Sequence, residues 1–298
     1  MTIKRILISI FVFVFIGLFY LILSVPKSGL NPVIGKVGIV AAENFWGSLV
    51  SQIGGNQVNV TSLVNDPNAD PHEYEVNAKV ARTFAKANFV IINGAGYDSW
   101  AQNIISSAGS GSLVLNAAKL LGKKNGDNPH FWYNPDYVNR MVLQMKNDLI
   151  ELDPSKSDYF TNNYNDLVAK LKVYQTNLAE IKKDFGGVQV ASTEDIFVYM
   201  AAASGLNLVS PPEFMQAVAN GNDPSASSIV TFQNQIKSHQ VRLLIFNSQT
   251  VNPITDSMKL LAEKNNIPTV AITETIQPPN QTFENWMNQE ILDIRAKL

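Results

Sequence analysis

Between Lys36 and Ala117 the chain alternates short apolar runs with amphipathic stretches. "KVGIVAA", "QVNVTSLV", "NFVIING" and "SLVLNA" are rich in Val, Ile and Leu and too short for helices, so they predict strands. Between them, "ENFWGSLVSQIG", "VNAKVARTFAKA" and "YDSWAQNIISSA" repeat apolar positions every three or four residues and predict helices. Strands and helices alternating at this rate form parallel βαβ units, with helices covering both faces of the sheet.

The pattern changes at Asn134. "PDYVNRMVLQMKNDLIELD" and "PSKSDYFTNNYNDLVAKLKVYQTNLAEIKKDF" read as helices with no strand between them. The second spaces Tyr159, Phe160, Tyr164, Leu167, Leu171, Tyr174, Leu178 and Ile181 largely three or four apart. At helical rise it is roughly 45 Å long, enough to cross the molecule as a stiff strut. After Gly186 and Gly187 the alternation resumes. "VQVAST", "LNLVS", "VRLLIFN" and "PTVAIT" predict strands; "EDIFVYMAAASG", "SASSIVTFQNQIKSH", "ITDSMKLLAEKN" and "FENWMNQEILDIRAKL" predict helices. The expected fold class is α/β: two similar lobes with parallel sheets, joined by a long rigid backbone helix. The expected divisions are an N-terminal segment 1–35, a first lobe 36–152, a linking helix 153–186 and a second lobe 187–298.

The first segment has a different character. "ILISIFVFVFIGLFYLILSV", Ile6 to Val25, is uncharged and about as long as a bilayer core requires. Lys4 and Arg5 precede it, which favours a cytoplasmic N-terminus and export of everything downstream. "LSVPKSG" is a poor cleavage site, so a transmembrane anchor is favoured over a removed signal helix.

Composition narrows the chemistry. Among 298 residues, 16% are charged and the formal net charge is -2, with no basic block. Phosphate recognition needs clustered Lys and Arg, so nucleic acid is excluded as a partner. There is no cysteine, which removes disulfides, thiolate metal sites, a Cys nucleophile and a lipid-modified cysteine anchor. Any metal site must be made of His and carboxylates.

In open parallel sheets, ligands bind beyond the carboxyl ends of the strands. His72 in "DPNADPHEYEV" follows the second strand, and His130 in "GDNPHFWYNPDY" follows the fourth. Glu194 in "VQVASTEDIF" and Glu274 in "PTVAITETI" follow strands of the second lobe. Singly, each has an ordinary explanation: a solvated or packed turn histidine, a carboxylate at a helix N-terminus, an exposed turn. His239 in "KSHQVR" sits at a helix end, where a cation is expected, and is not a candidate. Two imidazoles and two carboxylates converging between lobes would form a closed N/O ligand set for a divalent transition metal. Carboxylates tilt such a set towards Mn or Fe, and imidazoles towards Zn.

Taken in order, "DPHEYEV", "NPHFWYNPDYV", the strut beginning "DPSKSDYFTNNYNDLVAKL" and "STEDIFVYMAAASGL" resemble the metal-specific solute-binding proteins of ABC transporters. That family includes the streptococcal adhesin-type lipoproteins, and the resemblance covers the chain from about Val37 to its C-terminus. It implies a C-clamp of two lobes holding one Mn2+, Zn2+ or Fe2+ ion between them. It implies His72, His130, Glu194 and Glu274 as the ligands. Glu274 stands where the family usually has an aspartate. Residues 122–127 are short and carry no His-rich loop, and the lipid-bearing cysteine is missing.

The function expected from this resemblance is a monomeric, extracytoplasmic receptor, held to the membrane by its N-terminal helix or secreted if that helix is cleaved. It would pass a divalent metal to an ABC permease and would not be an enzyme. A metallohydrolase on the same ligands is the alternative, with Asp195 as its general base. However, no HExxH, GxSxG or Walker-type motif is present. An adhesin is also compatible with the fold.

Overall fold

A computed structural model of the chain describes residues 35–66, 74–108, 111–250 and 252–298. The expected N-terminal anchor and His72 lie outside these residues. Among the described residues, no helix is long and apolar enough to cross a membrane.

The first lobe is a four-stranded parallel sheet of β1 (Val37–Glu43), β2 (Val58–Val64), β3 (Phe89–Ile92) and β4 (Leu113–Asn116), in the order β2-β1-β3-β4. All of β3 and nearly all of β1 are buried, as expected for inner strands covered on both faces. Helices α1 (Asn44–Gly54), α2 (Ala78–Lys86), α3 (Ser99–Ala108) and α4 (Ala117–Leu121) connect and cover them. β3 ends two residues earlier than the sequence suggests. Gly94, Ala95 and Gly96 all take positive φ (76°, 57° and 93°), turning the chain sharply off the sheet.

Helix α5 (Pro135–Leu152) starts from a strong cap: Asn134 accepts from the backbone N–H groups of Asp136 and Tyr137 at 2.9 and 3.2 Å, and Pro135 occupies the first turn. Then comes the strut α6 (Ser157–Phe185), 29 residues long. Its buried stripe is Phe160, Leu167, Leu171, Tyr174, Leu178 and Ile181, each contributing roughly 1.5–3 kcal/mol of apolar burial as an upper estimate.

The second lobe repeats the plan: β5 (Gln189–Ser192), β6 (Asn207–Leu208), β7 (Leu244–Asn247) and β8 (Thr269–Ile272), all parallel, in the order β6-β5-β7-β8. Its helices are α7 (Val198–Ala203), α8 (Pro212–Ala219), α9 (Ala226–Lys237), α10 (Pro253–Lys264) and α11 (Phe283–Lys297). The helix expected from Glu194 begins later. Glu194 is extended (φ -151°, ψ 176°), a 3-10 turn spans Asp195–Phe197, and only then does α7 start. The Asp195 carbonyl is occupied by Asn128 Nδ2 of the first lobe at 2.6 Å.

Strand order reverses direction between β1 and β3 in one lobe and between β5 and β7 in the other. These are the switch points where crevices open in such sheets. The strut packs on α1, α5 and α11. Side chains stitch the lobes together near it. Asn44 exchanges two bonds with the backbone of Ile276 (3.0 and 3.3 Å), Ser48 Oγ accepts from Phe283 N at 3.0 Å, and Gln52 donates to Glu284 at 2.9 Å.

Candidate metal site

His130 ends the segment after α4 and enters a 3-10 turn, Phe131–Tyr133, whose three side chains are buried. Trp132 stacks on Phe45 of α1 at 4.1 Å, anchoring the turn to the first lobe. The His130 ring is 2% exposed, with Tyr97 and Trp132 edge-on at 6.3 and 5.3 Å. Asn128 Oδ1 accepts from the backbone N–H of His130 at 3.0 Å and lies 2.9 Å from its Nδ1. Asp195 Oδ1 is 3.3 Å from the same nitrogen. With two oxygens facing Nδ1, that atom holds the proton of the neutral ring. The lone pair is then on Nε2, the tautomer of a metal-ligating histidine oriented by a carboxylate behind it.

The second lobe brings its two glutamates together. Glu194 is 2% exposed, and its backbone carbonyl is held by Ser192 Oγ at 2.8 Å. Glu274, 5% exposed, accepts from Asn247 Nδ2 at 2.7 Å on one oxygen and from the Tyr97 hydroxyl at 2.8 Å on the other. Tyr97 reaches it from the first lobe, from the turn after β3. Burial first, and then the charge of Glu274, push the Glu194 carboxyl well above the usual range, against relief from Thr250 and Asn247. Burial and Glu274 likewise raise Asp195 to about 6.

Glu194, Asp195 and Glu274 thus share one buried region. Among the described residues, no Lys or Arg forms an ion pair with any of them. Glu194 Oε1 is buried without a donated hydrogen bond. Such an arrangement is unfavourable by itself and is relieved by a proton or a cation. The donors are imidazole nitrogen and carboxylate oxygen, which suit Mn2+, Fe2+ or Zn2+. The described residues alone do not make a closed group of three or more ligands, and the fourth expected ligand, His72, falls outside them. A cavity of about 410 Å3 opens beside the site, lined by Tyr97, Asn128, His130 and Asp195 but not by the two glutamates.

The supporting residues Tyr97, Asn247 and Asn128 escaped the sequence reading. The signal for the first two was available: "INGAGYD" and "FNSQT" follow β3 and β7, the same strand-end position that selected the four candidates. His239 lies far along the second lobe at positive φ (53°), in the turn after α9, and is not part of the site.

Among curated proteins, the chain is 22% identical over 219 residues to the high-affinity zinc uptake system protein ZnuA of Bacillus subtilis, covering 66% of each chain. It is 22% identical over 258 residues to the manganese ABC transporter substrate-binding lipoprotein PsaA of Streptococcus anginosus, covering 79% of each. Among solved structures, the periplasmic zinc-binding protein TroA of Treponema pallidum superposes with a TM-score of 0.75 at 16% identity, over 88% of this chain and 99% of that one. These structural likenesses establish the two-lobed fold. The family model described as zinc-uptake complex component A, periplasmic, matches residues 39–297, nearly the whole of both lobes and the strut. The chain therefore belongs to that family of periplasmic metal-uptake components.

Proposed function

We propose that this chain is the extracytoplasmic receptor of an ABC-type metal importer, binding one Mn2+, Zn2+ or Fe2+ ion through His72, His130, Glu194 and Glu274. In this reading the lobes 36–152 and 187–298 supply two ligands each, and residues 153–186 hold them at a fixed distance. The observation that carries it is the convergence of two buried carboxyls, Glu194 and Glu274, with the half-buried Asp195, set against an imidazole whose Nδ1 faces two oxygens. A dication meets the electrostatic demand of that cluster. The relatives named for zinc and manganese uptake support the cargo class. The N-terminal apolar run supports a membrane tether.

Catalysis is not favoured. The candidate general base, Asp195, lies against His130 Nδ1 and serves the imidazole, where it orients a ligand. The bonds of Asn44, Ser48, Gln52 and Tyr97 across the lobes oppose wide hinge opening. Release to a permease then proceeds by local movement of a ligand loop.

The test is calorimetric titration of the metal-stripped chain with Mn2+ and Zn2+, beside a His72→Ala/Glu194→Ala double variant. One-to-one binding abolished in the variant is expected. Stoichiometric binding that survives the double substitution would overturn the ligand assignment.

A further inference from the structure

The crevice at the first lobe's switch point contains a second group of buried carboxyls, outside the proposed metal site. Glu43, the last residue of β1, is 0% exposed, and neither of its side-chain oxygens receives a hydrogen bond from an N–H or O–H donor. It precedes α1 but does not cap it. Its side chain instead meets Asp98, which comes off the turn after β3 and is 1% exposed. Asp98 is well supplied with donors: the backbone N–H groups of Asn93 and Gly94 reach its two oxygens at 2.6 and 2.7 Å.

Two carboxylates facing each other in a dry crevice would repel, and neither could donate. One must hold a proton. The donors identify which: Asp98, with two short N–H bonds, is the stabilised anion, and Glu43, with none, is the acid. Burial and then the Asp98 charge both raise the Glu43 carboxyl well above its usual range. Burial raises the Asp98 carboxyl as well, but the Gly94 and Asn93 N–H groups and the side chain of Glu43 all act to lower it. The other polar neighbours are neutral: Asn93 accepts from Trp46 Nε1 at 3.2 Å and donates to the Pro129 carbonyl at 2.9 Å.

We infer that Glu43 is a protonated acid donating to Asp98, and that this pair is a positioning device for the metal site. Asp98 ties the two ends of the turn 93–98, which contains three consecutive positive-φ residues. That turn presents Tyr97 to Glu274, while Asn93 holds the residue before His130. One proton thus fixes supports of two proposed ligands on opposite lobes. The positioning role rests on the metal-receptor reading, whereas the shared proton does not.

Infrared difference spectroscopy of the full chain at neutral pH, wild type against Glu43→Gln, tests the proton. Glu194 and Glu290 add their own acid bands to both spectra, so the test is the difference: one buried carboxylic acid stretch present in wild type and missing from Glu43→Gln is expected, and a difference spectrum with no such lost band overturns the proposal. Mn2+ titration tests the positioning. Glu43→Gln can still donate to Asp98 and is expected to bind as wild type does, while Glu43→Leu leaves Asp98 without that donor and should bind roughly 10–100-fold more weakly. Rescue by Gln marks a donor role and not mere volume. Equal binding by Glu43→Leu and wild type overturns the positioning role. If Glu43→Leu does not fold, weakened binding by Glu43→Gln overturns it instead. No Mn2+ binding by wild type sinks the receptor reading, and the infrared band then still decides the acid pair.

Discussion

The two lobes share a strand order, and in each a glutamate leaves the strand on one side of the switch point to meet side chains from the other side. In the first lobe Glu43 meets Asp98, and Trp46, Phe45 and Trp132 of the same lobe are fully buried. In the second, Glu194 meets Asn247 and Thr250 but also the charge of Glu274, with Asp195 beside it. In the proposed reading, one crevice shares its negative charge through a single proton, and the other offers its carboxylates to a metal. The same backbone geometry supports both outcomes; the residues after the strands decide between them.

The largest test of that contrast removes the excess charge. Glu194→Gln is expected to weaken Mn2+ binding by more than ~100-fold, beyond what loss of a merely supporting residue costs. The same substitution should stabilise the metal-free protein, because the effects on binding and folding have opposite signs. Glu194 holds its proton more tightly folded than unfolded, so wild-type stability is full below the unfolded value and falls as pH rises towards the folded one. The variant loses that slope, so its melting temperature should exceed wild type above pH 7 and match it near pH 4. Wild type should also release a proton on binding Mn2+, seen as a dependence of calorimetric heat on buffer ionisation enthalpy. If that release persists undiminished in Glu194→Gln, the carboxyl is not the source.

A finer test separates the two donors on Glu274. Asn247→Ala removes a donor from within the second lobe, and Tyr97→Phe removes one from across the cleft. Hydrogen bonds to a charged group contribute roughly 1.5–3 kcal/mol, so each should cost about 10–100-fold in Mn2+ affinity. Asn247 also donates to Thr250 and accepts from Gln249 N, whereas the Tyr97 bond crosses between the lobes. Tyr97→Phe should therefore act mainly on dissociation rate in stopped-flow chelator exchange. An effect confined to association would show that Tyr97 does not latch the cleft.

The eight strands and the strut were legible because apolar runs and three- and four-residue spacing respond to burial, which the inner strands β1 and β3 and the stripe of α6 provide. The helix expected to begin at Glu194 was not, because capping statistics describe isolated helix ends, whereas here Asn128 and His130 of the other lobe claim Asp195 and leave a 3-10 turn. Helix α8, in "PPEFMQAVA", was not among the expected helices, although Pro212 sits in its first turn, a favourable place for it. His130, Glu194 and Glu274 could be proposed from strand-end position alone. Their supports could not, since contacts such as Tyr97 to Glu274 span 177 residues and have no local trace.

The smallest expected effect concerns a carboxyl behind the site. Glu290 of α11 is 6% exposed; it accepts from Thr273 N at 3.0 Å and Thr273 Oγ1 at 3.2 Å and lies 2.8 Å from the Tyr133 hydroxyl oxygen. Burial outweighs these bonds and pushes it up to about 8. Like Glu194 it should therefore withdraw stability as pH rises from the unfolded value towards 8, but it touches no proposed ligand. Glu290→Gln keeps an acceptor for Thr273 and offers an N–H to Tyr133, whose hydroxyl already donates to the Thr273 carbonyl at 2.7 Å. At pH 9 the variant should be more stable than wild type, and at pH 4 no different. Mn2+ affinity should stay within about twofold of wild type, less than 0.5 kcal/mol. A matching loss of affinity would mean that the charge of Glu290 reaches the site, and that the second lobe's excess extends one shell further than the ligands.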